Sequence, residues 1–189
     1  MKNETALGGK IRDMVYMALF AVLIAICAWI SIPAPIPFTM QTFGVFAAIG
    51  ILGGKRGTGA ILLYLMMGAV GLPVFSGFTG GIGRLMGTTG GYIAGFLFSA
   101  LLMWLLENLW GTKPVVQCLS MILGLFVCYA FGTLWFMMVY TRTTGDIGVW
   151  TALAMCVIPY LIPDGLKIAL AMFLSRRLRP YVKERKKAA

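Results

Sequence analysis

The chain has 189 residues, of which 60% are hydrophobic and 12% are charged, and its formal net charge is +10. Soluble domains are about 45–50% apolar and about 25% charged, so this composition excludes a soluble globular protein and a disordered one. It is also too apolar for a protein whose positive charge serves to bind nucleic acid. We therefore predict a single integral membrane domain over residues 1–189.

Six apolar stretches are predicted to be transmembrane helices, because a helix needs roughly 17–25 residues to cross a bilayer. They comprise residues 14–32, 39–53, 57–72, 91–109, 114–139 and 163–179. The second stretch is short. The last span is expected to begin at Pro163, since proline suits the first turn of a helix. Residues 150–158 are expected to form a short helix at the outer surface.

The first span carries a stripe of small residues on one face. The stripe comprises Ala18, Ala21, Ala25 and Ala28. Small residues let a second helix approach closely. Two interpretations stay open: the stripe packs against other helices of this chain, or it is a docking face for a different membrane subunit.

A proline-rich link over residues 32–38 joins the first two spans, and its prolines predict an extended backbone. Gln41 follows this link and carries a polar amide into the second span. Hydrogen bonding to a neighbouring helix is the simplest role for such an amide.

Residues 73–90 form the predicted outer loop, and the stretch from Gly71 to Gly91 contains eight glycines, counting both of these. Irregular backbone is tolerated at membrane depth where it lines a protein cavity, so this loop can fold back into the bundle. Its aromatic residues and its one cation, Arg84, suit a lid over a small ligand. The alternative is a mobile connection without a binding role.

The fifth span contains Tyr129 and Trp135. Aromatic residues are common at both interfaces of a membrane. We interpret both as interfacial anchors.

Asp164 and Lys167 are ionisable residues within the last span, and their i, i+3 spacing places them on one helix face. Ionisable residues inside a membrane mark functional sites by default. The pair is either a self-neutralising ion pair or a clamp, in which Asp164 accepts N–H groups and Lys167 receives a carboxylate. The lack of any other deep ionisable pair in the sequence favours the clamp.

The basic residues predict the orientation of the chain. With the N-terminus inside, thirteen of the sixteen Lys and Arg residues lie inside, Arg84 and Arg142 lie outside, and Lys167 lies within the last span. This bias requires an even number of spans, so both termini are predicted to be cytoplasmic. The basic tail, residues 176–189, is interpreted as a topological anchor in contact with anionic lipid.

The sequence contains no histidine, six acidic residues and four separate cysteines. This inventory argues against metal sites and histidine-dependent catalysis, and the cysteines are interpreted as buried apolar residues. An intramembrane lipid-modifying enzyme with Asp164 and Lys167 as its acid–base couple stays open, although HExxH and GxSxG motifs are missing. The chain is small for a transporter that rocks two halves, which favours a subunit of a larger machine.

Several groups of residues are recognisable together. They are Pro35 to Phe43, Gly71 to Phe75 with Gly80-Gly81, Gly90-Gly91-Tyr92, and Pro159-Tyr160 with Asp164-x-x-Lys167. In this combination the chain resembles the BioY family, the biotin-specific substrate-binding (S) components of energy-coupling-factor (ECF) transporters, over about residues 18–177.

The resemblance implies an all-α, six-helix S-component bundle with both termini cytoplasmic, in a prokaryotic cell membrane. It implies biotin as the ligand, bound near the outer face, and no cofactor. The implied partners are a transmembrane coupling protein, which would dock on the alanines of the first span, and two ABC ATPase subunits.

Biotin offers a ureido ring with two N–H groups and a carbonyl, and it ends in a carboxylate. The resemblance implies that Asp164 accepts the ureido N–H groups and that Thr79 or Gln41 contacts the polar edge of the ring. Either Lys167 or Arg84 would neutralise the carboxylate, and both alternatives stay open.

The sulfur-containing ring and the chain of biotin are apolar. Phe75, Phe78 and Tyr92 are expected to enclose this part, because small-molecule sites are mostly apolar with a few placed polar groups. An S component for another small vitamin is the alternative within the same class.

Overall fold

The computed structural model describes residues 2–34 and 36–184, so Met1, Pro35 and the last five residues of the basic tail lie outside the described part. The described elements, in chain order, are α1 (Lys2–Trp29), β1 (Ser31–Ile32), β2 (Phe38–Thr39), α2 (Gln41–Leu52), α3 (Gly54–Ala69), α4 (Ile82–Met86), α5 (Gly90–Trp110), α6 (Pro114–Thr143), α7 (Val149–Cys156), a 3-10 turn (Ile158–Tyr160) and α8 (Leu161–Glu184).

Four helical stretches in the described part are long and apolar enough to cross a membrane. They are Leu7–Trp29, Gly90–Trp110, Pro114–Thr143 and Val149–Val182, the last of which takes in α7 and α8. This confirms the predicted helical membrane architecture. Helix α2 is apolar but has 12 residues, which at 1.5 Å per residue extend about 18 Å.

The first span ends earlier than predicted, at Trp29 instead of residue 32. The cause is a short antiparallel ribbon in which Ser31 pairs with Thr39 and Ile32 pairs with Phe38. This ribbon contains both ends of the extended link that the prolines predict. It reverses the chain and delivers it to the start of α2.

The last transmembrane helix begins at Leu161, two residues before the predicted start at Pro163. A 3-10 turn leads directly into it, so Pro163 lies within the first turn, where the missing N–H has no intrahelical acceptor to lose. The predicted short helix before it is confirmed as α7.

Helix α2 forms the centre of the bundle. Eleven of its twelve residues are buried, and it packs against α1, α3, α5 and α8. A helix that is apolar all round is one that other helices surround, and this accounts for the sequence of α2. Its N-terminal residue, Gln41, therefore lies in the interior of the protein.

Ion pairs join helices at one end of the bundle. Glu107, near the end of α5, accepts a hydrogen bond from the backbone N–H of Gly54 at 2.5 Å and pairs with Arg179 of α8. In a second ion pair, Arg56 Nε of α3 lies 3.4 Å from Asp13 Oδ1 of α1. These contacts place the α2–α3 turn at the same end as the last turns of α5 and α8 and the first half of α1.

The alanine stripe of α1 lies mostly inside the protein. Ala21 and Ala28 are 0% exposed and Ala25 is 2% exposed, whereas Ala18 is exposed. Helix α1 packs against α2 and α3. This burial confirms the interpretation of packing within the chain for three of the four alanines and contradicts a docking face made of them, because a separate subunit cannot reach fully buried side chains.

Replacing Ala25 with leucine is expected to lower the free energy of unfolding by about 1–3 kcal/mol, since extra methyl groups do not fit a close-packed interface. Ala18→Leu makes the same change at an exposed position of the same helix, and we expect it to have little effect. Thermal unfolding of both purified variants in one detergent measures the difference. Equal melting temperatures would show that Ala25 faces outward.

Candidate ligand-binding site

A cavity lies at the N-terminal end of α2, between this helix, the outer loop and helices α5, α6 and α8. Its apolar lining includes Ile36, Ile93, Phe96 and Leu125, and its polar lining includes Thr39, Gln41, Ser76, Arg84, Tyr92, Tyr129, Tyr160, Asp164 and Lys167. The cavity thus combines an apolar wall with a few polar groups, the composition expected of a small-molecule site.

Asp164 and Lys167 form a buried ion pair in this cavity. Lys167 Nζ lies 2.7 Å from Asp164 Oδ1, and the two residues are 5% and 4% exposed respectively. The hydroxyl of Tyr129 donates to the other carboxylate oxygen, Oδ2, at 2.6 Å. Lys167 Nζ also lies 4.1 Å from the centroid of the Phe38 ring. The sequence left an ion pair and a ligand clamp as alternatives. The ion pair is present, and because it lines the cavity the clamp stays a prediction.

This pair retains capacity for a ligand. An ionised carboxylate can accept about four hydrogen bonds, and an ammonium group has three N–H donors. Each oxygen of Asp164 accepts one hydrogen bond here, and Lys167 donates one to it. A ligand that supplies N–H donors can therefore bind Asp164 without displacing Lys167 or Tyr129.

Arg84 reaches the same cavity from α4 in the outer loop. Its Nε atom is buried and has no hydrogen-bond partner among the described residues. Buried N–H groups in proteins almost always find an acceptor. Arg84 therefore brings a buried N–H group without an acceptor in the described part of the chain to this site, whereas the charge of Lys167 is paired with Asp164.

Gln41 of α2 and Tyr92 of α5 both line the cavity. The Gln41 amide donates to the hydroxyl of Tyr64 at 2.9 Å, which holds its side chain across the interior and leaves the amide oxygen unused by this bond. The Tyr92 hydroxyl and the Thr133 hydroxyl are 2.9 Å apart and share a hydrogen bond. Both side chains are thus fixed before any ligand arrives.

Three residues predicted to contact the ligand do not line the cavity. Phe75 is 0% exposed and packs edge-on against Tyr64. Phe78 is 65% exposed and stacks on Trp29 with ring centroids 5.0 Å apart. The hydroxyl of Thr79 donates to the carbonyl oxygen of Ser76, within the loop itself.

The outer loop is fastened to the bundle by two tryptophans. Trp29 Nε1 donates to the carbonyl oxygen of Pro73 at 2.8 Å, and Trp135 Nε1 donates to that of Gly87 at 3.0 Å. The two anchors lie near opposite ends of the loop. These two hydrogen bonds favour the interpretation of the loop as a lid held on the bundle over that of a mobile connection.

Sequence reasoning missed Tyr129 as a member of the site. It assigned Tyr129 to a membrane interface, yet this residue lies at the middle of the thirty-residue helix α6. Its position in the span was a usable signal, because a hydroxyl at mid-membrane needs a polar partner in the protein. Tyr160 and Phe38 were also missed. The Tyr160 hydroxyl donates to the backbone oxygen of Ile36 and thereby holds the link beside the cavity.

Comparisons with known proteins give a consistent result. A probable biotin transporter BioY from Pyrococcus horikoshii is 35% identical over 171 residues, which cover 90% of this chain and 98% of that protein. The biotin transporter BioY from Thermotoga maritima is 35% identical over 175 residues, which cover 92% of this chain and 99% of that protein.

A solved structure shares the fold as well. The crystal structure of the S-component for biotin from an ECF-type ABC transporter matches with a TM-score of 0.79 and 27% identity, over 91% of this chain and 93% of that chain. The sequence model of the BioY family matches residues 1–184. From the extent of these matches, this chain belongs to the BioY family.

Proposed function

We propose that this protein is the biotin-binding S component of an ECF transporter and serves biotin uptake. The observation that carries the proposal is the buried pair of Asp164 and Lys167 on the wall of an otherwise apolar cavity, in a member of the BioY family. The relatives it matches are named as transporters, which leaves the lipid-modifying enzyme without support.

Each polar part of biotin has a counterpart in the cavity. Asp164 accepts ureido N–H groups, because its carboxylate has free acceptor positions, and Gln41 contacts the polar edge of the ring. Arg84 pairs with the carboxylate, since its buried Nε has no acceptor among the described residues, while Lys167 holds Asp164 in position through their ion pair. Tyr92 borders the apolar part of the ligand.

The aromatic residues of the outer loop have an indirect role in this proposal. Phe75 fills the space against Gly68 and Tyr64, Phe78 covers Trp29, and Thr79 closes a turn onto Ser76. Together they hold the loop conformation that brings Arg84 to the cavity.

Asp164→Asn and Arg84→Gln are each expected to weaken biotin binding about ten- to hundredfold, since a hydrogen bond to a charged group contributes about 1.5–3 kcal/mol. Arg142→Gln removes the same charge from the exposed end of α6 and is the matched control. Calorimetric titration of folded protein measures the affinities.

The amide of biotin, used as a ligand, distinguishes the proposed role of Arg84 in carboxylate binding from that of Asp164 in ureido binding. It lacks the carboxylate, so Arg84→Gln should hardly change its affinity, whereas Asp164→Asn should weaken it as strongly as it weakens biotin. Wild-type biotin affinity in both variants would reduce Asp164 and Arg84 to structural residues. Mass spectrometry of the small molecules that co-purify with the wild-type protein tests biotin against another vitamin.

For the topology we propose six membrane crossings with both termini cytoplasmic. The distribution of Lys and Arg supports this orientation. The contact of Glu107 with Gly54 and Arg179 supports the count, because it brings the α2–α3 turn to the end of the bundle where α5 and α8 also end. Helices α2 and α3 then each cross the bilayer despite their length.

Single cysteines in a cysteine-free background test this topology. Cysteines at Gly8, Lys55 and Thr112 are expected to react with a membrane-impermeant maleimide from the cytoplasmic side, and those at Leu72 and Thr144 from the outside. All five positions are exposed in the structure. Lys55 is decisive for the count, since a four-span protein in which α2 and α3 do not cross would label there from the outside.

The partners in this proposal are a transmembrane coupling protein and two ABC ATPase subunits, as the ECF context of the similar structure suggests. Uptake of radiolabelled biotin by cells that produce this chain should then depend on co-production of these subunits and on an intact ATPase site. Uptake at full rate by the chain alone would contradict this assembly, while leaving biotin binding as the function of the cavity.

A further inference from the structure

An apolar groove runs between α6 and α8 on the surface of the bundle, and it shares no lining residue with the ligand cavity. It has a volume of about 680 Å³ and is lined by Leu119 and Ile122 of α6 and by Ile168, Met172 and Phe173 of α8, with Arg176 at one end. We propose that this groove binds one anionic phospholipid, with an acyl chain along the groove and the phosphate at Arg176.

The length of the groove matches one leaflet. Along α8 the lining extends from Gly165 to Arg176, which at 1.5 Å per residue is about 16 Å. The hydrocarbon core of a bilayer is about 30 Å thick, so the groove covers about half of it. A transmembrane helix of another protein would instead need an apolar surface over the full thickness.

The charge of the groove also matches a phospholipid. Arg176 is exposed and forms no ion pair with the residues whose side chains the structure describes. Lys113, directly before α6, is exposed near Pro114, which lines the same end. No charged side chain lines the groove beyond Arg176 in the described part of the chain. A single cationic end on an apolar channel fits a ligand with one anionic head and an apolar tail.

The groove is open because of how α8 packs. Its inner face lies on α2, and it contacts α6 less extensively. At Gly165 a Cβ atom would meet nothing within 4 Å, and Ala169, one turn further along, is also exposed. A large side chain at residue 169 therefore projects into the groove without entering the bundle.

Native mass spectrometry of the detergent-purified protein, titrated with phosphatidylglycerol or phosphatidylcholine, tests the proposal. We expect one phosphatidylglycerol to bind in preference to phosphatidylcholine. Ala169→Phe should lower the bound fraction of both lipids at least fivefold, because it fills the groove. Arg176→Gln should lower the affinity for phosphatidylglycerol about fivefold and leave that for phosphatidylcholine unchanged.

Two variants serve as matched controls. Ala130→Phe adds the same ring at an exposed position of α6 outside the groove, and Arg142→Gln removes a charge at the opposite end of that helix. Both should retain lipid as the wild type does. Biotin titration and thermal unfolding verify that Ala169→Phe is folded, which keeps this test independent of the ligand cavity.

Three results would overturn the proposal. Equal lipid retention by Ala169→Phe and Ala130→Phe would exclude the groove as the site. Competition by inorganic phosphate at the affinity of the lipid would assign Arg176 to a free anion. A dimer of this chain that Ala169→Phe disrupts, without loss of lipid, would assign the groove to a second copy.

Discussion

A carboxylate and an ammonium group lie side by side in the interior of this membrane protein, and the surrounding structure follows from the need to keep them there. A lone charge inside a membrane is costly, so Asp164 and Lys167 must neutralise each other and find further polar partners. Tyr129 supplies a hydroxyl to the carboxylate and Phe38 supplies a ring face to the ammonium. The four residues come from the proline-rich link, α6 and α8, so a side-chain interaction ties distant parts of the chain to one site.

The apolar composition of the chain made the pairing of Asp164 and Lys167 predictable. The sequence has few charges, so an acid and a base three residues apart in the last span were expected to share a helix face and to mark a functional site. The short helix before that span and the extended proline link followed from proline chemistry in the same way. Such inferences work because the membrane penalises each polar group individually, without reference to the rest of the fold.

Other features depend on tertiary contacts that a single segment does not contain. The alanines of α1 suit either an internal or an external partner, and only the positions of α2 and α3 decide between them. Phe75 and Phe78 are both aromatic residues of the outer loop, yet one is fully buried and the other is largely exposed. Tyr129 is of a residue type common at membrane interfaces, yet it lies buried at the middle of α6. In each case the residue type is compatible with more than one environment, and the packing of the helices determines which one the side chain occupies.

The length of α2 has a consequence for the depth of the ligand. At about 18 Å, this central helix is about 12 Å shorter than the hydrocarbon core of a bilayer is thick. Neighbouring helices continue past its N-terminus, so a vertical gap is left in the middle of the bundle and the ligand cavity occupies it. The site is therefore made by a missing stretch of helix. In the proposed topology a solute in it sits below the level of the lipid headgroups and faces the positive end of the α2 dipole.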